Sequence, residues 1–226
     1  EIEVGDWSSD VCSSDLLQET DIIYGPAVRA ASKHVRDDLG IDVAPPTEEQ
    51  IKSWLGKTAR EMWHEYAPQL DGKNCEECMS IVYRHMLALI KQGNARWFAG
   101  AAELLDSLKS QGYRMVILSN CNKGYATVHS EFFGMDRWFE SFYDSESFGD
   151  IGKGAIMKKI ADEHPGERYI VIGDRGGDME AAAAVGAPFI GCTYGYGTKK
   201  ELRDSTLFAD SPHRIEDCIH KLEAVM

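Results

Sequence analysis

Positive charge is scarce in this chain of 226 residues: 24 Lys and Arg stand against 37 Asp and Glu, for a formal charge of -13. Such a chain is poorly suited to gripping nucleic acid or an anionic membrane over a broad face. No apolar run approaches the ~18 residues that a membrane-spanning helix needs. The N-terminus shows no charged-then-apolar leader pattern. The six cysteines are scattered and form no framework, and the chain is long enough to bury a core without staples. These absences together predict free thiols and a cytoplasmic protein. What is present is ordinary globular composition, 43% hydrophobic and 27% charged, with an acid excess that suits a protein holding a hard cation through carboxylates.

One segment has almost no aliphatic content. Residues 6–16 read Asp-Trp-Ser-Ser-Asp-Val-Cys-Ser-Ser-Asp-Leu, with Ser-Ser-Asp twice and no helical or strand period. The string is similar to a translated short-read sequencing adapter. The alternative is a flexible polar tail.

From about 20 to 95 the pattern is helical. Pro26 suits a first helical turn, Val28, Ala31, Val35 and Leu39 follow at helical spacing, and Gly40 is a stop. Thr47 with Gln50 and Thr58 with Glu61 form capping-box patterns, and Asn74 with Glu77 marks the start of a longer helix ending near Gly93. From 97 onward strands and helices alternate. Helices are expected at 101–110, 123–133, 153–163, 178–185 and from 211–212 onward. Strands are expected at 113–118, 139–143, 169–172 and 188–192. Strands separated by helices of about ten residues imply an α/β fold with a doubly wound parallel sheet, whose ligands sit beyond the carboxyl ends of the strands.

The strand ends carry the chemistry. Asp174 leaves the strand at 169–172 and Asp178 follows at the next helix, so two carboxylates can face one crevice, as Mg2+ prefers. Asp178 also fits a plain N-cap. Ser119-Asn120 follow the strand at 113–118, where a hydroxyl and a backbone N–H can hold phosphate, or simply make a polar turn. Lys153, between Gly152 and Gly154, can neutralise a phosphate or be an ordinary solvated lysine. The acidic run Asp144, Glu146 and Asp150 is expected to be a solvated loop. Cys75-x-x-Cys78 lacks two further zinc ligands and lies among helices rather than beside a βαβ unit, which speaks against metal or redox chemistry. Trp54, Trp63 and Tyr66 are expected to be packing residues, with the alternative that one of them lines a substrate entrance.

Taken together, VILSN at 116–120, GKG at 152–154 and VIGDRGGD at 171–178 resemble the second, third and fourth motifs of the haloacid dehalogenase superfamily of phosphatases, in the same order. Phe98-Ala99-Gly100 resembles the family's turn into its core, and the run from Cys192 to Gly197 resembles phosphoglycolate phosphatase-like members. The resemblance extends from about residue 17 to the end. It implies a Rossmann-like core at 96–226, a helical cap at 20–95 and a start of the core at 1–19. It also implies Mg2+-dependent hydrolysis of a small phosphorylated metabolite through an aspartyl-phosphate. By carry-over, Ser119, Lys153 and Asp174 are catalytic. Ser119, Asn120 and Lys153 bind phosphate, and Asp174 and Asp178 serve the metal.

The chain departs from the family at the first motif, D-x-D-G-T. Aligning the motif's leucine with Leu16 puts Val11 at the nucleophile and Ser13 at the acid/base, and neither side chain can do that work. The adapter-like string is therefore expected to replace both the nucleophile and the central strand. The parent gene would encode a phosphatase and this chain would be inactive, its sheet left with two unpaired edges. A non-catalytic phosphate-ligand-binding protein and a phosphomutase on the same scaffold are the alternatives.

Overall fold

The computed structural model describes the backbone of residues 10–12 and all of 16–149 and 151–225. The described strands form one parallel sheet in the order β3-β2-β1-β4-β5-β6. They are β1 (Asp10–Cys12), β2 (Met115–Ser119), β3 (Phe139–Asp144), β4 (Ile170–Gly173), β5 (Phe189–Cys192) and β6 (Leu207–Ala209). β2 and β4 are buried along their whole length, as strands covered by helices on both faces must be. Met115 and Ile117 of β2 pack with Leu104, Leu105, Ile215 and Ile219, which belong to helices α5 (Ala101–Ser110) and α9 (Pro212–Glu223). Val116 and Leu118 point the other way. They meet Ile156, Met157 and Ile160 of α7 (Lys153–Glu163) and Ala181 of α8 (Gly176–Val185). Each such aliphatic side chain taken out of water contributes about 1.5–3 kcal/mol.

The central strand corrects the expectation of unpaired edges. Asp10–Cys12 lies between β2 and β4, with Val11 beside Val116 on one flank and Val171 on the other. Strand pairing is a backbone interaction. Two buried parallel neighbours with open hydrogen-bonding edges offer a template that three residues of nearly any type can fill. Residues 13–15, including Ser13, lie outside the described residues.

Four helices form a second cluster: α1 (Asp21–Asp37), α2 (Glu48–Trp54), α3 (Ala59–Tyr66) and α4 (Gly72–Lys91). Ala27, Val28, Ala31 and Val35 of α1 pack with Trp54, Trp63, Cys78 and Val82. Both threonine capping boxes are present as expected. Two starts differ from expectation. α1 begins at Asp21, leaving Pro26 inside the helix. Burial of Ile23 extends the apolar stripe by a turn, which outweighs the one hydrogen bond proline removes. α4 begins three residues early because Asp71 accepts the N–H of Asn74 and so caps the helix ahead of Asn74.

The chain passes from the sheet to these helices and back through one narrow ribbon. Gln18 and Trp97 make an antiparallel bridge, the Glu19 N–H donates to the Arg96 carbonyl and the Phe98 N–H to the Leu17 carbonyl. Arg96 and Glu19 add an ion pair at 2.7 Å.

Helix α6 (Lys123–Phe133) buries His129 completely, stacked on Tyr125 at 5.3 Å and against Phe133 at 4.9 Å. Neither ring nitrogen has a hydrogen-bond partner among the described residues. Burial pushes its pKa down to about 3. Between pH 6.5 and 3 the unfolded chain therefore binds a proton that the folded chain refuses. Stability is expected to fall as pH drops through that window, by up to about 4 kcal/mol. Urea midpoints at pH 7, 5 and 4 check this, and His129→Phe is expected to flatten the dependence.

Candidate active site at the carboxyl ends of β2 and β4

Ser119 is the last residue of β2 and Asp174 follows the last residue of β4. Cys12 pairs with Ile117 and with Ile172, so Ser119 and Asp174 stand at the same height, two residues beyond the Cys12 row on the strands flanking β1. The sheet reverses its winding between β1 and β4, the place where open α/β sheets bind ligands.

Lys153 and Asp178 meet behind this edge. The Lys153 Nζ donates to Asp178 Oδ1 at 2.6 Å, with Lys153 6% and Asp178 3% exposed. Asp178 Oδ2 accepts the backbone N–H groups of Asp174 (3.1 Å) and Arg175 (3.0 Å). The carboxylate thus caps α8 and holds the lysine at once. Gly173 makes the fold-back possible, since a Cβ there would sit 2.1 Å from the Cβ of Asp178. The expected helix start and N-cap at 178 move: α8 begins at Gly176 with Arg175 at its N-cap, and Asp178, third in the helix, reaches back to the Arg175 N–H while it holds Lys153. Lys153 is buried rather than solvated.

Asp174 is wholly buried under the loop 193–197. Its Oδ2 accepts the N–H groups of Tyr196 (2.5 Å) and Gly197 (3.2 Å). A Cβ on Gly197 would lie 1.5 Å from the Asp174 carbonyl oxygen, so only glycine lets the loop close this far. The Tyr196 hydroxyl reaches on to Asp21 Oδ1 at 2.9 Å, tying the loop to α1. The family-like run at 192–197 was visible in sequence. Its grip on Asp174 was not, because the contact joins residues more than twenty apart, and the Gly195/Gly197 doublet is the signal that hints at it.

Ser119, Asn120 and Lys153 share one cavity of about 170 Å3 between the sheet and helices α2–α4. Asn120 Nδ2 donates to the Gly56 carbonyl at 3.3 Å, linking the floor to the loop after α2. Gly56 has φ +81°, and a Cβ on it would meet the Arg175 side chain at 2.8 Å. Trp54 and Trp63 are both buried in the helical cluster and both line the cavity, so the two readings of them are compatible. Tyr66 packs edge-on against both at 5.6 and 5.8 Å and does not line it.

The neighbouring acidic run differs from expectation. Asp144 is buried, accepting the N–H and hydroxyl of Ser147, because β3 runs to that residue and draws it under the sheet edge. Glu146 accepts the Lys123 N–H at the start of α6, and Asp150 lies outside the described residues. Cys75 and Cys78 are free thiols. Burial raises both, Cys78 to about 11, so neither is a ready thiolate at neutral pH.

The carboxylates near the strand ends are hard oxygen donors, the kind Mg2+ takes, with the thiols of Cys121 and Cys192 also near these ends. Among the described residues no three His, Cys, Asp or Glu side chains converge. Both oxygens of Asp178 are already engaged, Oδ1 by Lys153 and Oδ2 by two backbone N–H groups, and Asp174 Oδ2 accepts two more, so these carboxylates do not form an all-protein cage. No helix among the described residues is long and apolar enough to cross a membrane.

A parallel sheet with Ser119, Lys153, Asp174 and Asp178 near its reversal point is a doubly wound α/β architecture. Residues 25–192 match the haloacid dehalogenase-like hydrolases, and the chain belongs to that family. It is 30% identical over 124 residues to a 5'-nucleotidase of Pseudomonas aeruginosa, covering 54% of this chain and 56% of that protein. It thus spans little more than half of that relative's length. A phosphoglycolate phosphatase of Agrobacterium fabrum is 26% identical over 163 residues, covering 68% of this chain and 69% of that one. The crystal structure of a predicted phosphoglycolate phosphatase from Haemophilus somnus superposes with TM-score 0.79 at 17% identity, covering 94% of this chain and 98% of the other, a likeness of fold.

Proposed function

We propose that the parent gene encodes a Mg2+-dependent phosphatase acting on a small soluble phosphomonoester, and that this chain retains the phosphate site without the nucleophile. The observation that carries the reading is the shared cavity floor of Ser119, Asn120 and Lys153 beside the buried Lys153–Asp178 pair. In this reading α1–α4 form the cap and the α/β unit the core.

The Ser119 hydroxyl and the Asn120 N–H donate to phosphoryl oxygens. Lys153 supplies positive charge, and Asp178 keeps its ammonium aimed at the floor. Asp174 is the residue that would hold Mg2+ directly, with Asp178 orienting a water of its shell. Bound there, the ion would offset charge as a nucleophile approaches the phosphate. Val11 and Ser13 carry no carboxylate, and Asp10 and Asp15 beside them do not begin a D-x-D-G-T, so the first-motif positions supply no nucleophile. That same observation favours the second reading, a protein that binds a phosphate ligand without turnover.

Calorimetric titration of the full chain with inorganic phosphate, with and without Mg2+, tests the site. Ser119→Ala and Lys153→Met are each expected to weaken binding by at least about tenfold, and Asp174→Asn to remove the Mg2+ dependence. Binding untouched by all three overturns the assignment. Long-read sequencing of the source DNA across the 5′ end of the gene separates the two readings. A D-x-D-G-T there supports the phosphatase, and confirmation of residues 6–16 supports the binding protein.

A further inference from the structure

The cavity has two unlike halves. Its floor is polar and cationic, while the helical side is walled by Trp54, Met62, Trp63, Met79, Val82 and Met86. Lys57 and Lys153 are its only charged lining residues among those described. Lys153 belongs to the phosphate floor. Lys57 is held by Glu65 at 2.5 Å and reaches partly into solvent. A small phosphorylated acid would therefore bring a second anionic group, its carboxylate, to a wall that offers it no buried cation of its own. Thr20, Tyr24, Tyr83, Asn122 and Tyr125 give part of the cavity polar neighbours, but hydroxyls placed against the methionines and indoles would lose hydrogen bonds to water that are not replaced. A flat ring meets neither obstacle. Thioethers pack well against aromatic rings, and indoles offer faces or edges to them.

We infer that the ligand is an aromatic phosphomonoester, its phosphate on Ser119, Asn120 and Lys153 and its ring against the wall of α2, α3 and α4. The inference rests on the phosphate reading above and specifies the other half of the ligand. Direct binding tests it without requiring turnover. The full chain is titrated with inorganic phosphate, glycerol phosphate, phenyl phosphate, a nucleoside 5′-monophosphate and phenol, by calorimetry and by tryptophan fluorescence. Phenyl phosphate is expected to bind at least about tenfold more tightly than glycerol phosphate and to change the tryptophan emission. Met79→Ala and Met86→Ala, both at half-buried positions, are expected to shrink that ratio. A nucleoside monophosphate tighter than phenyl phosphate identifies the ring as a nucleobase, and the reverse order identifies a simple aryl group. Glycerol phosphate binding as tightly as phenyl phosphate, with inorganic phosphate also bound, overturns this inference and leaves the phosphate site standing. If no phosphate compound binds, or phenol binds as well as phenyl phosphate, the phosphate reading falls and the inference with it.

Discussion

Asp178→Ala is expected to destabilise the protein by about 3–5 kcal/mol, the usual result of removing one member of a buried ion pair. Three interactions go at once: the 2.6 Å contact with Lys153 and the two N–H groups of Asp174 and Arg175. Asp178→Asn is expected to cost less, because an amide oxygen still accepts the backbone donors. The double variant Asp178→Asn with Lys153→Met is expected to recover part of the loss, since neither buried charge is then left behind. Urea midpoints for the single and double variants measure the coupling, and additive losses would show that the pair contributes nothing as a pair. Phosphate affinity should fall with the singles and stay low in the double, separating the stability role from the binding role.

The largest expected effect is chemical. This chain should release no phosphate from p-nitrophenyl phosphate above the uncatalysed rate. Replacing residues 11–15 by Asp-Cys-Asp-Gly-Thr should raise the rate by at least about 10^4-fold, the scale on which a missing nucleophile acts. A colorimetric assay reads both outcomes, and EDTA should abolish the gain. The backbone imposes a condition. Val11 sits beside Val116 and Val171, three residues before Ser119 and Asp174. A restored strand must advance by those three residues, roughly 10 Å, before an aspartate at 11 stands level with them. Turnover by the chain as it is would overturn the proposed loss of function.

How far the sequence could be read follows from where its signals were local. α5, α6 and α7 have the expected limits because their apolar spacing is local, and α6 adds an Asn122 cap and a terminal Gly134. β6 was missed: Leu207–Ala209 is three residues with only Ala209 buried, too short for a period. β1 was missed for a different reason, since its place is set by its neighbours and not by its own side chains. Ser119, Lys153, Asp174 and Asp178 could be named because each sits at the end of a legible element. The Tyr196 and Gly197 N–H groups on Asp174, and the apolar wall opposite the floor, arise only when distant segments fold together.

The ribbon at Gln18 and Trp97 has a consequence of another kind. The chain leaves the sheet and returns to it at adjacent points, held by two backbone hydrogen bonds and one ion pair. No strand of the sheet is threaded through the helices between them. In genealogical terms those helices are a cassette: they can be lengthened, exchanged or lost between descendants while the connections of β2 through β6 stay as they are, so the sheet edge and the helices above it are free to diverge at different rates.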